Sequence, residues 1–345
     1  MNETLKRIFS FKNIVTLILL ILCALMLFVM CKRKEYRHSD GMVFGTVYHI
    51  TYDGNEDMSG IIESELQRLD MSLSLFNDQS TLARLNAGDT VPFDTLLYNV
   101  FIKGWEVSRL TDGCFDMTVA PLVNLWGFGP DGKLDSMPEQ SVIDSLLHIV
   151  GYEKTQLLVI GDSMFLVGGK IDAAAIAKGY ACDVVGDALA SHGCTSYCVE
   201  IGGELAVKGE NPNGELWHVG VNKPVEDKPG VVPEIVRVLE LTDAGMATSG
   251  NYRNFIDLGK GRVAHTVNPK TGMPVESSLL SATIVASDCM TADAWATACM
   301  VAGRETAVRW MECHSELKAY FIWSDNGKMM MTIVENQVST TSEIR

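Results

Sequence analysis

Three things are missing from this chain, and each absence removes a class of protein. The first is a disulfide framework. Of nine cysteines, Cys23 and Cys31 lie in or beside an N-terminal apolar run. The other seven are an odd number, and Cys114, Cys182, Cys289, Cys299 and Cys313 read as small buried hydrophobes in alanine- and valine-rich segments. Cys194-Thr-Ser-Tyr-Cys198 has no second Cys/His pair at matching spacing, so a structural zinc site is unsupported. The second is a basic face. Residues 1–40 hold seven Lys/Arg against Glu3, Glu35 and Asp40, a net +4, so the total of −15 leaves −19 on the rest. A body that acidic is no partner for a phosphate backbone, so no nucleic acid is expected, and it disfavours close contact with anionic lipid. The third is the Gly-x-Gly-x-x-Gly fingerprint of dinucleotide folds, which no strand-to-helix junction carries. Internal repeats and long low-complexity linkers are absent as well.

What is present is a chain of 345 residues, 47% apolar, long enough to bury a sizeable core. No domain boundary is evident inside 40–340, which is expected to be one domain behind an N-terminal segment, 1–35. Residues 14–30 are an uncharged apolar run, with Lys6, Arg7 and Lys12 before it and Cys31-Lys-Arg-Lys34 after it. Seventeen residues is long for a signal-peptide core and just adequate for a membrane-spanning helix. Two fates fit: an uncleaved signal anchor, or a lipoprotein signal cut before Cys31. Met30 stands where lipoprotein cleavage wants a small residue, which favours the anchor.

Alternation over Met42–Tyr52 predicts a first strand through Val43, Thr46, Tyr48 and Ile50. Helical spacing predicts helices over Asp57–Leu75 and Leu96–Leu110, with a polar turn and short helix over Phe76–Asn86. A hairpin is predicted at Gln156–Ile160 and Met164–Val167, and a helix from about Lys178 to Ser191. Strand signals then dominate, at Ser196–Ile201, Leu205–Lys208, Trp217–Val221 and Val236–Leu241. The alternation fits an α+β fold of mixed and antiparallel sheets with packed helices and lacks the steady rhythm of a doubly wound sheet.

Several stretches suggest chemistry. Ile171-Asp-Ala-Ala-Ala-Ile-Ala-Lys-Gly-Tyr-Ala-Cys-Asp183 strips the backbone of bulk beside an acid and a lysine, as where a nucleotide approaches the main chain, or else is an alanine-rich helix start. Gly113-Cys-Phe-Asp-Met-Thr-Val-Ala-Pro-Leu-Val-Asn-Leu-Trp-Gly-Phe-Gly129, which ends in a tight Trp-Gly-Phe-Gly loop, is either an aromatic plug or the aromatic and backbone wall of a ring pocket. Ala247-Thr-Ser-Gly-Asn-Tyr-Arg253 suits phosphate or adenine, or is an ordinary turn. His265 lies beside a turn fixed by Pro269, Gly272 and Pro274. Asp293 and Thr297, at i and i+4, project from one helix face as a plausible oxygen pair for magnesium, or form an ordinary helix start.

Taken together, these stretches resemble the ApbE family of FAD:protein FMN transferases over residues 42–310. Six ordered motifs carry the likeness: Phe44-Gly-Thr46, Phe115-Asp-Met-Thr-Val-Ala-Pro-Leu122, Ile171-Asp with Ala177-Lys-Gly-Tyr180, Ala247-Thr-Ser-Gly250, His265 with Pro269 and Thr271-Gly272, and Ala292-Asp293 with Ala296-Thr297. The resemblance implies an enzyme on the periplasmic side of the inner membrane. It would bind FAD with Mg2+ and transfer the FMN moiety to a Thr/Ser hydroxyl of a partner, such as a membrane redox-pump subunit, releasing AMP. By the same resemblance, Asp293, Thr297 and the Ala175 carbonyl would hold the metal. Phe44, Phe76, Ala120, Pro121, Leu122, Asp172, Lys178, Thr248, Ser249, Gly250 and Thr266 would contact the flavin nucleotide, and His265 and Asp293 would be catalytic. Hydrolysis of FAD to FMN and AMP, and a non-catalytic membrane-tethered FAD-binding protein, are the alternatives. The chain departs from the family pattern at Phe44, where methionine is usual, at Ala173 and Ala174, where glycines are usual, and at Asn251 and Asn268, where aspartates are usual.

Overall fold

A computed structural model describes residues 14–22, 34–130, 132, 134, 136–224, 234–251, 255–257 and 262–344. Its frame is a sheet of nine strands, each antiparallel to its neighbours: Tyr36–Val43, Thr46–Asp53, Tyr197–Ile201, Glu204–Lys208, Ala244–Gly250, Leu279–Ala286, Lys318–Asp325, Lys328–Glu335 and Val338–Glu343. Neighbours in the sheet follow one another along the chain, so helices and small hairpins enter as excursions from one meander.

Strand alternation sorts side chains onto two faces with a period of two. On one face Ile50, Val199, Ala206, Ala247 and Ile284 meet the helices Ser59–Leu73, Thr95–Leu110, Ala177–Ser191 and Cys289–Ala302. On the other, Leu205, Val207, Met246, Val285 and Ile322 meet Trp217, Val219 and Leu239 of a separate hairpin, Trp217–Asn222 with Ile235–Leu241. A third cluster, around Leu122, Trp126, Ile143 and Val267, lies apart from both.

Local signals explain the helices. Ser59–Leu73 buries Ile62, Leu66, Leu69 and Leu73, a single stripe at helical spacing. Thr95–Leu110 starts where the Asp94 carboxylate accepts from the Leu96 and Leu97 N–H groups. Cys289–Ala302 is buried on nearly every side, and its alanines let other elements approach closely all round it.

The structure divides the expected first strand. Val43 pairs with Thr46 across a two-residue turn, Phe44-Gly45, with φ of +52° and +74°. Positive φ at both central positions is the type I′ pattern, normally filled by Asn, Asp or Gly. The predicted hairpin at 156–167 forms as Gln156–Ile160 against Ser163–Val167. None of the seven described cysteines forms a disulfide. Residues 14–22 are helical with exposed apolar side chains. Among the described residues no helix is long and apolar enough to cross a membrane, and the remainder of the expected run at 14–30 lies outside them.

Candidate active site

The site is organised where the N-terminal ends of two helices meet. The Gly179 N–H, at the start of Ala177–Ser191, donates to Asp293 Oδ2 at 3.0 Å. Its α-helical acceptor would be the Ala175 carbonyl, but regular helix begins only at Ala177, whose preceding residue accepts the first helical bond from Tyr180 N–H. The carboxylate therefore takes the donor that would otherwise close onto Ala175. Glycine is required here: a Cβ on Gly179 would sit 2.3 Å from the Cys289 carbonyl oxygen and 2.8 Å from Asp293 Cβ. Gly245 does the same from the sheet, since a Cβ there would lie 2.1 Å from Cys289 N.

Two acids hold the start of Cys289–Ala302. The Cys289 and Met290 N–H groups donate to Asp183 at 2.8 Å each, and the Thr291 N–H donates to Asp288 at 2.7 Å. Negative charge at a helix N-terminus is favourable. Even so, burial pushes the Asp183 carboxyl up to about 7, against those hydrogen bonds and helped by the charges of Asp288 and Asp187.

One turn beyond the buried Asp293, Thr297 is half-buried and shares a 3.1 Å hydrogen bond with Ser249. Burial likewise raises the Asp293 carboxyl, opposed by the charge of Lys178 and the Gly179 N–H. Lys178 Nζ lies 2.5 Å from Glu204 Oε1. Burial disfavours the Lys178 charge, yet Glu204 and Asp293 outweigh it and hold the ammonium above its usual range. Glu204 is pushed up to about 7 by burial and by Asp293, against the pull of Lys178. Two carboxylates and one ammonium leave this buried group under-neutralised. Carboxylate, hydroxyl and carbonyl oxygens suit a hard divalent cation. Among the described residues no group of three or more His, Cys, Asp and Glu is placed to hold a metal, so an ion here depends on that mixed oxygen set.

The approach to this centre is pinned by side chains far away in sequence. Asn86 bonds both the carbonyl and the N–H of Ile171, at 2.8 and 2.9 Å, and the Asp172 N–H donates to the Met117 carbonyl at 2.7 Å. Asp172 is half-buried, accepts from the Ala174 N–H at 2.7 Å, and has its carboxyl raised by burial. Met117 leads into the helix Ala120–Leu125, where Ala120 and Pro121 stay partly accessible and Leu122 is fully buried. Trp126 Nε1 donates to the Gly272 carbonyl at 2.7 Å, fixing the loop that follows His265. Phe128 meets the His265 ring edge-on at 6.3 Å. So within Trp126-Gly-Phe-Gly129 Trp126 is the buried plug, and Phe128 faces the histidine.

The ApbE family profile matches residues 44–321. The chain belongs to the ApbE family. It is 34% identical to the FAD:protein FMN transferase of Vibrio cholerae over 322 residues, covering 90% of this chain and 94% of that one. With the FAD:protein FMN transferase of Escherichia coli K12 it is 30% identical over 308 residues, covering 83% and 87%. Among solved structures it is similar to the flavin transferase ApbE from Vibrio cholerae, with TM-score 0.76, 31% identity and coverage of 88% and 98%. It is equally similar to the apo form of Pseudomonas stutzeri flavinyl transferase ApbE, with TM-score 0.76, 30% identity and coverage of 90% and 96%.

The remaining residues expected from ApbE motifs are spread around this centre. Phe44 sits half-buried on its positive-φ turn. Phe76 is 77% exposed on the surface. Ser249 and Thr248 alternate across their strand: Ser249 joins Thr297 on the helix side, whereas Thr248 bonds Thr283 at 2.8 Å on the opposite face. Gly250 pairs with Ser281, and Thr266 is buried with its carbonyl accepting from Val275 N–H. The departures are readable too. The Ala173 side chain is buried and Ala174 is exposed. Asn268 accepts from the Lys270 and Thr271 N–H groups, a turn role an aspartate would also fill, while Asn251 Oδ1 is buried without a partner among the described residues. The sequence pattern assigned no site role to Glu204, Asp183 or Asn86. Only Gly202-Gly-Glu204 carried a signal, an acid directly after a tight glycine turn.

Proposed function

We propose that this chain transfers the FMN moiety of FAD to a threonine or serine hydroxyl of a target protein, with Mg2+, releasing AMP. The observation that carries the reading is the Gly179 N–H on Asp293, which takes that donor from the Ala175 carbonyl and ties the start of Ala177–Ser191 to the helix that carries Thr297 one turn beyond Asp293. Asp293, Thr297 and Ala175 would hold the magnesium ion, which when bound neutralises charge on a pyrophosphate. Lys178, held by Glu204, presents fixed positive charge to the same phosphates. The acceptor hydroxyl oxygen attacks the flavin-side phosphorus, the bridging P–O bond breaks, and AMP departs with that oxygen. His265, half-buried against Phe128, takes the hydroxyl proton, and Asp172 on its pinned segment orients the nucleotide. No enzyme-bound covalent intermediate is required.

Residues 40–340 act as one catalytic domain. The apolar run at 14–30 anchors it in the inner membrane on the periplasmic side, within reach of a membrane redox-pump subunit as acceptor. The test is incubation with FAD, magnesium and a candidate acceptor, followed by mass measurement. An FMN adduct on Thr or Ser supports transfer. Free FMN and AMP with an unmodified acceptor would mean hydrolysis, and intact FAD would mean binding alone.

A further inference from the structure

Glu204 has two oxygens with different fates. It follows the turn Gly202-Gly203, with φ of +64° and +103°, is 4% exposed, and shares the helix-facing side of its strand with Ala206. Oε1 receives the Lys178 ammonium, whereas Oε2 is buried with no hydrogen-bond partner among the described residues. Leaving a buried polar oxygen unpaired is costly, and more so when the carboxyl is ionised, so a partner is expected to arrive from outside the chain.

The surroundings show where it would arrive. A Cβ on Gly202 would lie 3.0 Å from Thr46 Cγ2, 3.2 Å from Thr46 Oγ1 and 3.4 Å from Glu204 Oε2. Thr46 and the free carboxyl oxygen thus converge on the bare backbone of Gly202, at the tips of two neighbouring hairpins joined by Gly202 N–H to the Val47 carbonyl. The Lys178 side chain, paired with the other oxygen of Glu204, is 32% exposed. A phosphate oxygen has no hydrogen to give Oε2 and carries like charge. The neutral donors within a side chain's reach of a phosphate held by Lys178 are the hydroxyls of the sugar chain beside it.

We propose that Glu204 is a substrate-binding residue: Oε1 anchors Lys178 while Oε2 accepts a hydrogen bond from a ribityl or ribose hydroxyl of the bound flavin nucleotide. This rests on the flavin-nucleotide reading above. The test is titration of the full chain, with magnesium, by FAD, FMN, ADP and inorganic pyrophosphate, comparing wild type with Glu204→Gln. FAD affinity should fall about ten- to a hundredfold in the variant. FMN should fall with it if the hydroxyl is ribityl, ADP if it is ribose, and pyrophosphate, which has no hydroxyl donor of this kind and feels Glu204 only through Lys178, should lose clearly less than FAD does. Glu204→Asp, which keeps the charge and withdraws it by one methylene, should lie between the two; it supplies the comparison if Glu204→Gln fails to fold. Equal FAD affinity in wild type and variant overturns the assignment alone. So does a pyrophosphate loss as large as that for FAD, which would mean Glu204 acts only through Lys178, or an FAD loss that neither FMN nor ADP shares. A wild-type chain that binds no FAD overturns the flavin reading and the assignment together.

Discussion

The Gly179 N–H and the Asp293 carboxylate meet at 3.0 Å across 114 residues of sequence, and that one hydrogen bond joins the two halves of the site. It depends on a residue with no side chain. Replacing glycine by alanine inside a helix ordinarily stabilises it, by about 1 kcal/mol. Here the added methyl would fall 2.3 Å from the Cys289 carbonyl. Gly179→Ala should reverse the usual sign and destabilise the protein by about 1–3 kcal/mol, the range for overpacking. Urea denaturation measures this, and a Gly179→Ala chain more stable than wild type would refute the close approach.

Asp293 separates stability from activity. Its carboxyl is buried and raised, so its charge is a burden on the fold. Asp293→Asn keeps an oxygen for the Gly179 N–H and should melt at or above the wild-type temperature. The same change should lower magnesium-dependent AMP release from FAD by about 10²–10³-fold, the scale of losing one preorganised electrostatic contact. Asp293→Ala should abolish it. Unchanged turnover at saturating FAD in either variant would remove Asp293 from the proposed metal site.

Asp183 gives the pH dependence a definite sign. Its ordinary value of 3.8 is pushed up to about 7 in the folded chain, so between about pH 4 and 7 the native state binds a proton that the unfolded state has released. Stability from this group is therefore greatest at low pH and falls as pH rises through that window. Glu204, raised from 4.5 to about 7, contributes with the same sign. Asp183→Asn should flatten the decline, and at the acid end should cost only the lost cap bond, about 1 kcal/mol. Denaturation series at pH 4.5, 6 and 7.5 decide the matter; a variant with a wild-type slope would refute the assignment.

Part of this site was legible in the chain and part was not, for identifiable reasons. Asp293 and Thr297 are four apart in a helix-forming stretch, and that spacing alone places both on one face. The hairpin at 156–167 was legible because its alternation and its Gly161 turn agree. Thr248 and Ser249 could not be told apart, because period-two geometry sends neighbours to opposite faces and only the sheet register says which face holds the helices. Asp183 reads as an ordinary helix-surface acid until Cys289, 106 residues on, is brought against it. The Phe44 turn escaped notice because phenylalanine is a poor residue for positive φ, so the alternation through Met42–Tyr52 read as one unbroken strand.

That mismatch at Phe44 sets up the last prediction. A bulky side chain at φ +52° costs about 1–2 kcal/mol relative to glycine, and such strain persists where the surroundings or a function require it. Partial packing of the ring against the main core offsets some of it. Phe44→Gly and Phe44→Asn both relieve the turn, and a purely structural Phe44 would make them neutral or stabilising with no other effect. If the ring instead contacts flavin, the same variants should hold or raise the melting temperature while raising KM for FAD several-fold, with kcat changed little because the phosphate groups are held elsewhere. Phe44→Met, the residue usual at this position in the family, should recover FAD binding while keeping the strained turn. A melting rise with no change in KM would leave Phe44 as turn strain alone and move the ring contact elsewhere, to the accessible surface of Ala120 and Pro121.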